Sequence, residues 1–431
     1  MASDKADGQP ARGLSRDFWI FWGGQAVSNL GTSFSQLALP LLVYKLTGSA
    51  LNLAISSAAE FLPYLLFGLL IGAWVDRTDR RRLMIAASAL QALAIGSIPL
   101  LSDLGHLGIW WIYAMGFISA TVGICFQSGE FAAIPSLVSQ DDLVTANGRI
   151  QASYQAVSIL GPLLAGLLAA VAPIERVIYF DAASFLISAA SLSLVRRGFN
   201  GGERSTSSSN LRADILEGLR YVLGHSVLRN ISAMMALVNF VGATIFAQLV
   251  FFAKHHLEAS NAQIGLLFSA GSGGVIVLSL AAGPLRKRYS FSRVALSALI
   301  ASGVCMILLA LVSWYPAALV LWALAQGLGI LFNINTGSLR QAIVPNHILG
   351  RVMSIAGVLA WSAIPLGTLL GGWAIQRSGN VTLIYGIIGG LTVLIPIFFG
   401  LCTPLGHAEQ YLPATDTPTA GAGTPRDGAG S

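Results

Sequence analysis

The chain has 431 residues, 55% hydrophobic and only 10% charged, with a mean hydropathy of +0.71, whereas an ordinary soluble domain carries roughly a quarter charged residues. This composition counts against a soluble enzyme, a nucleic-acid binder or a secreted disulfide scaffold. The 3 cysteines, Cys125, Cys305 and Cys402, lie singly in apolar runs, so they form neither a disulfide framework nor a metal site and read as small packing residues.

From the start, residues 1–17 form a polar tail with Lys5, Arg12 and Arg16 and no signal-peptide core. Apolar stretches of membrane-spanning length follow at 18–44, 51–75, 83–102, 108–132, 148–171 and 177–195. Six more follow at 230–253, 261–285, 294–312, 316–339, 351–376 and 381–402. They are continuous, unlike the short alternating strands of a membrane barrel. The expected fold is an all-α membrane protein of twelve transmembrane helices in two six-helix bundles, 18–195 and 230–402. The interval 196–229 opens with the Gly/Ser-rich linker GFNGGERSTSSSN and continues with Leu211, Ile215, Leu219, Val222 and Leu223 at helical spacing. It reads as an amphipathic helix on the inner membrane surface, against the plainer reading of a solvated linker helix. Residues 403–431 read as a cytoplasmic tail, disordered in its Pro/Thr/Ala/Gly-rich part from Pro413.

With the first residue inside, 21 of the 25 Lys and Arg fall on the cytoplasmic side, leaving Lys45, Arg176, Lys254 and Arg377 outside. Both termini are therefore expected in the cytoplasm. Orientation accounts for the net charge of +6, and no nucleic-acid partner is needed.

The halves resemble each other. IPSLVSQDDLVTANGR and AIVPNHILGR each read proline, polar loop, then Gly-Arg, at Gly148-Arg149 and Gly350-Arg351, followed by a helix carrying a proline about fifteen residues on and small residues after it. A duplicated six-helix unit with its site between the halves is a carrier architecture.

The sharpest motif is Gly72-Ala73-Trp74-Val75-Asp76-Arg77-Thr78-Asp79-Arg80-Arg81-Arg82, between the second and third stretches. It resembles the GxxxDRxxR(R/K) signature of the major facilitator superfamily, with Asp79 where a glycine is usual. The second copy, Gly283-Pro284-Leu285-Arg286-Lys287-Arg288, has lysine where Asp76 stands and reads as degenerate. The resemblance implies a cytoplasmic gate of Gly72, Asp76, Arg77, Arg80, Glu130, Gly350 and Arg351, in which Asp76 sits at the positive end of the eleventh helix and Arg80 pairs with Glu130. The competing reading anchors these charges in the headgroup region. Gly148, Gly161, Pro162 and Gly166 resemble the antiporter motif of the same superfamily, with Val157 and Ala165 replacing two of its glycines.

An ionisable residue inside the membrane is a functional candidate by default. Glu60, with no cation near it in sequence, is the candidate coupling or substrate-contacting acid, against a hydrogen-bonded protonated acid; Asp181 is the weaker candidate, since Arg176 is within reach to form a structural pair. Polar stripes run through the first stretch (Gln25, Asn29, Thr32, Gln36), the fifth (Gln151, Gln155, Ser158) and the tenth (Gln326, Asn333, Thr336, Arg340). By the resemblance, the first, fourth, fifth, seventh, tenth and eleventh helices line the central cavity, with Trp22, Tyr154 and Trp361 as aromatic contacts. The third and twelfth are expected to face lipid. No Walker, HExxH or other catalytic pattern occurs, so no cofactor, metal or enzymatic role is expected.

The stretches around Gln25 and Asp76 look like those of bacterial macrolide and enterobactin exporters. That implies a monomeric proton antiporter in the bacterial cytoplasmic membrane, expelling an amphipathic small molecule by alternating access. A proton-coupled nutrient importer of the same fold, and a non-transporting receptor or scaffold, are the alternatives.

Overall fold

The computed structural model describes residues 14–75, 78–139, 142–199 and 211–411. Asp76, Arg77, most of the amino-terminal tail, the Gly/Ser-rich linker and the last twenty residues lie outside these.

The first half comprises α1 (Arg16–Thr47), α2 (Ala50–Val75), α3 (Arg80–Asp103), α4 (Ile109–Leu137), α5 (Leu143–Val171) and α6 (Ile174–Leu194). The linker helix α7 (Leu211–Gly224) follows. The second half comprises α8 (Ser226–Ala247), α9 (Leu249–His255), α10 (Asn261–Arg288), α11 (Phe291–Leu311), α12 (Tyr315–Ile343), α13 (Asn346–Trp361), α14 (Ala363–Ser378) and α15 (Val381–Cys402). Among the described residues, twelve helices are long and apolar enough to cross a membrane. Their succession agrees with the apolar stretches, with two interruptions. The seventh stretch divides at Gln248 into α8 and α9, and the eleventh at Ser362 into α13 and α14. Pro365 accounts for the second interruption, since it has no N–H to offer the Trp361 carbonyl and its ring crowds that oxygen.

Local signals set the helix ends. Ser15 and Asp79 each accept from the backbone N–H three residues on, and Ser260 with Gln263 forms a reciprocal capping box. Gly48 and Gly379 close α1 and α14 in the left-handed conformation, at φ 60° and 65°.

Consecutive spans alternate in direction, so one end of the bundle gathers both described chain ends and the loops after α2, α4, α6, α10 and α12. This terminal end carries the basic loops; the other is the far end. In the first half α1 packs on α6, α6 on α3, and α4 on α3 and α2; in the second, α12 packs on α10 and α11, and α15 on α11 and α8. The halves meet chiefly through α5 on α10 and α2 on α14.

Apolar burial shows how far the halves are joined. At the far end one core is shared: Phe34, Leu37 and Ala165 of the first half cluster with Leu249, Phe252 and Tyr385 of the second. Toward the terminal end the cores are separate. Phe18, Phe21, Met84 and Leu137 form one in the first half, while Val227, Leu299, Phe332 and Phe399 form another in the second. Polar contacts follow the same division. The Ala50 carbonyl accepts from Gln248 Nε2 at 2.7 Å, Ser49 Oγ donates to Gln376 Oε1 at 3.0 Å, and Asn261 Nδ2 donates to the Ala169 carbonyl at 3.1 Å, all at the far end. The molecule is sealed there.

Lys45 and Glu175 join α1 to α6 at the far end at 2.7 Å, with the lysine more than half exposed. An exposed pair contributes little, so Lys45→Ala should lower stability by less than about 1 kcal/mol, measured by thermal unfolding in detergent.

The linker helix uses its apolar face in part on the protein. Val222 is buried with Leu228, Val344, Ile348 and Val352, while Leu216 and Leu223 remain exposed.

Candidate functional site

At mid-depth in the first half, α1, α2, α3, α4 and α6 line a cavity of about 760 Å³, flanked on the remaining side by α13 and the joint residue Ser362. Its polar wall comprises Thr32, Ser35 and Gln36 from α1, Glu60 and Tyr64 from α2, Gln91 from α3, Gln127 from α4 and Asp181 from α6. The second half contributes Met353, Gly357, Val358, Trp361 and Ser362. Two acids face one apolar-walled space, and among its described lining residues there is no Lys, Arg or His.

The helix packing explains how they arrive there. Gly31 lets α1 approach α6 so closely that a Cβ on it would overlap Ser184, which sets Thr32 beside Asp181. Asp181 is 1% exposed, and its Oδ1 accepts from Thr32 Oγ1 at 3.3 Å and Ser184 Oγ at 3.5 Å. The expected pairing with Arg176 is not formed: Arg176 is exposed, and the ion pairs among the described residues are Lys45–Glu175 and Arg82–Asp79. Five residues further along α6 than the arginine, Asp181 turns into the bundle. Glu60 is half-buried, and a Cβ on Gly116 of α4 would stand 3.9 Å from its Cγ. No described side chain hydrogen-bonds its carboxyl.

The wall gives a stability prediction. Asp181→Asn retains an acceptor for Thr32 and should alter thermal stability in detergent by less than about 1 kcal/mol. Asp181→Leu strands the Thr32 hydroxyl, while Ser184 keeps its 2.8 Å bond to the backbone carbonyl of residue 181, and should cost about 1–3 kcal/mol.

The gate residues lie at the terminal end. Glu130 is 8% exposed, and its Oε2 accepts from Tyr154 Oη at 3.2 Å, whereas Oε1 has no partner. Arg80 Nη1 donates to the Phe199 carbonyl at 3.4 Å, and no ion pair joins Arg80 to Glu130 in this arrangement. Asp76 and Arg77 lie outside the described residues; Gly72 falls in α2, and Gly350 and Arg351 fall in α13, by backbone alone.

On α5, Gly161 lies against Ser33 of α1, and Gly166 against Gly265 of α10, where a Cβ on Gly166 would stand 2.9 Å from the Gly265 Cα. Pro162 is buried between them.

Of the stripe and aromatic candidates, Thr32, Gln36 and Trp361 line the cavity. Gln25 is buried instead between α1 and α6, donating to Ser188 Oγ at 3.3 Å. Trp22 Nε1 donates to the Arg149 carbonyl, and Asn29 sits beside Tyr154 in the Glu130 cluster. Gln326 packs at Gly271 of α10. Asn333 is exposed and bonds its own helix, and Gln155 is half-buried. The third helix keeps Leu90, Leu93 and Leu100 exposed, as expected of a lipid-facing helix, but also turns Gln91, its single side-chain amide, onto the cavity wall. Tyr64 and Gln127 were likewise missed. Each is one polar group on an apolar helix near an acid, Glu60 and Glu130 respectively, and that proximity was the available signal. Among the described residues, no three His, Cys, Asp or Glu converge as metal ligands.

Comparison with known proteins places this geometry. A family model described as transmembrane secretion effector matches residues 13–419. Macrolide efflux protein A of Streptococcus pyogenes is 26% identical over 368 residues, covering 84% of this chain and 90% of its own. Multidrug efflux pump Tap of Mycolicibacterium fortuitum is 28% identical over 363 residues, covering 81% and 87%. Among solved structures, the nucleoside transporter NupG superposes with a TM-score of 0.76 at 12% identity, covering 89% of this chain and 98% of its own. A bacterial homologue of the iron transporter ferroportin, in an inward-facing state, superposes at 0.69 with 18% identity, covering 90% and 99%. These last two establish the fold alone. With a family match running nearly end to end over twelve spans, the chain belongs to the transmembrane secretion effectors, transporters of the major facilitator fold rather than enzymes.

Proposed function

We propose that the protein is a proton-driven exporter that removes an amphipathic small molecule from the cytoplasm by alternating access, working as a single chain in a bacterial cytoplasmic membrane. The terminal end faces the cytoplasm, in keeping with the distribution of basic residues. Substrate enters from that end, where the halves have separate cores, and leaves after the far-end seam opens and the terminal end closes.

The observation carrying this reading is the pairing of Glu60 and Asp181 on one cavity with no cation among its described lining residues. An uncompensated carboxylate in low dielectric is costly, so each acid holds a proton or a cationic group of the cargo. Exchange of one for the other is antiport. Export rather than import is supported by the efflux relatives. In the closed terminal state Arg80 leaves Phe199 for Glu130, and Asp76 approaches the start of α13, forming the gate implied by the motif.

The test uses cells lacking the gene, loaded with diverse antibiotics, dyes and siderophores. Restoring the gene should lower accumulation of at least one compound, and collapsing the proton gradient should abolish that difference. Gradient-driven uptake would establish an importer instead. No transport of any compound, with a phenotype lost on removing the tails, would establish a scaffold.

A further inference from the structure

The contacts between α5 and α10 have a fixed register. These antiparallel helices touch at Ala169 with Asn261, at Gly166 with Gly265 and at Ile159 with Ser269. Moving toward the terminal end along both, contact stops. The faces that continue the seam, Gln151, Ala152 and Gly148 on α5 and Leu280 and Gly283 on α10, are exposed.

Gly148 lies eighteen residues before Gly166, and Gly283 eighteen after Gly265. Eighteen residues are five full α-helical turns, at about 3.6 residues per turn, so both glycines return to the seam face. Gly166 and Gly265 meet with no room for a Cβ, whereas a Cβ on Gly148 or Gly283 would meet nothing within 4 Å. The sequence thus provides a second glycine pair at the same register, unmated in this arrangement. Six residues before Gly148, the start of α5 carries Asp142, now bonded to Ser139 Oγ at 2.8 Å, and about one turn after Gly283 the end of α10 carries exposed Lys287 and Arg288.

We propose that in the opposite state of the cycle the terminal halves of α5 and α10 close onto each other, Gly148 against Gly283, and that Asp142 locks them by pairing with Lys287 and Arg288. The second motif copy is then a charge-inverted partner of the first rather than a decayed one. In the first, an acid after α2 meets the start of α13; in the second, cations after α10 meet an acid at the start of α5. The helix dipole alone would repel cations from that start, and Asp142 reverses the sign. This assignment rests on the alternating-access reading above, but not on the identity of substrate or coupling ion.

The experiment is cysteine crosslinking in membrane vesicles with full-length protein whose Cys125, Cys305 and Cys402 are serines. Ala152→Cys with Ser279→Cys, which leaves all three charges in place, should crosslink, and should arrest efflux until reduced. Ala169→Cys with Asn261→Cys at the far end is the control for the arrangement described here. Asp142→Lys should reduce the 152–279 crosslink and efflux by about fivefold, the upper range for an exposed pair. Adding Lys287→Asp and Arg288→Asp should return both to within about twofold of the parent. Absence of the 152–279 crosslink while the control pair crosslinks would overturn the proposal, even if Asp142→Lys fails to accumulate. So would a swapped triple variant no better than Asp142→Lys. Crosslinking that behaves as expected in protein showing no proton-linked efflux would reject the functional reading and leave this one standing.

Discussion

Glu60→Gln should abolish the dependence of efflux on the proton gradient, lowering uphill transport by at least about tenfold, or about 1.4 kcal/mol of lost driving force. Glutamine preserves the size and the hydrogen-bonding outline of the acid but neither binds a proton nor carries charge. Since no described side chain bonds the Glu60 carboxyl, the substitution removes nothing structural, and protein level and thermal stability should stay at the parent value. Downhill substrate exchange across vesicles without a gradient should persist. The measurement is dye or antibiotic extrusion at several imposed pH differences, with membrane abundance determined in parallel. Unaltered gradient dependence in Glu60→Gln would eliminate the assignment and transfer the role to Asp181.

Gly166→Leu should be the most damaging single substitution on the seam. Its Cβ would stand 2.9 Å from the Gly265 Cα and 3.0 Å from the Asn261 carbonyl oxygen, and both are backbone atoms, which cannot rotate aside. Overpacking of this kind costs about 1–3 kcal/mol, here charged to the state in which the far end is sealed. The expected result is a shift toward the opposite state, with the 169–261 crosslink lost and substrate access from the cytoplasm reduced by about tenfold or more, as 1.4 kcal/mol per decade implies. Gly148→Leu is the mirror case: with nothing within 4 Å of its Cβ position, it should leave the sealed far end intact and obstruct the other state. Opposite effects of these two substitutions on crosslinking at the two ends are the discriminating result.

The number, order and approximate bounds of the spans were legible because twenty-residue apolar runs broken by charged loops have no soluble alternative. The interruptions at Gln248 and Ser362 were not, since hydropathy continues unbroken through both. For the site, the two membrane acids stood out in sequence because unpaired carboxyls are rare there, but their common cavity depends on α1 and α6 meeting at Gly31, a contact across 150 residues. Misreading Gln25 has the same origin. A polar stripe on a membrane helix serves a cavity or a neighbouring helix equally well, and only the position of Ser188 decides between them. The cavity role of Gln91 on the third helix was not legible, because one glutamine among apolar residues carries little weight until its direction is known.

The two interruptions lie in the second half alone. Their counterparts α1 and α5 run unbroken for 32 and 29 residues, although α5 contains Pro162 and α1 contains Pro40. The half bearing Glu60 and Asp181 thus crosses in uninterrupted helices, and the half with split spans contributes Trp361 and Ser362 to the cavity from the joint between α13 and α14. Whatever fills that space presses directly on a joint. A bulkier occupant would therefore bear first on that joint, while both acids stand on spans that have none.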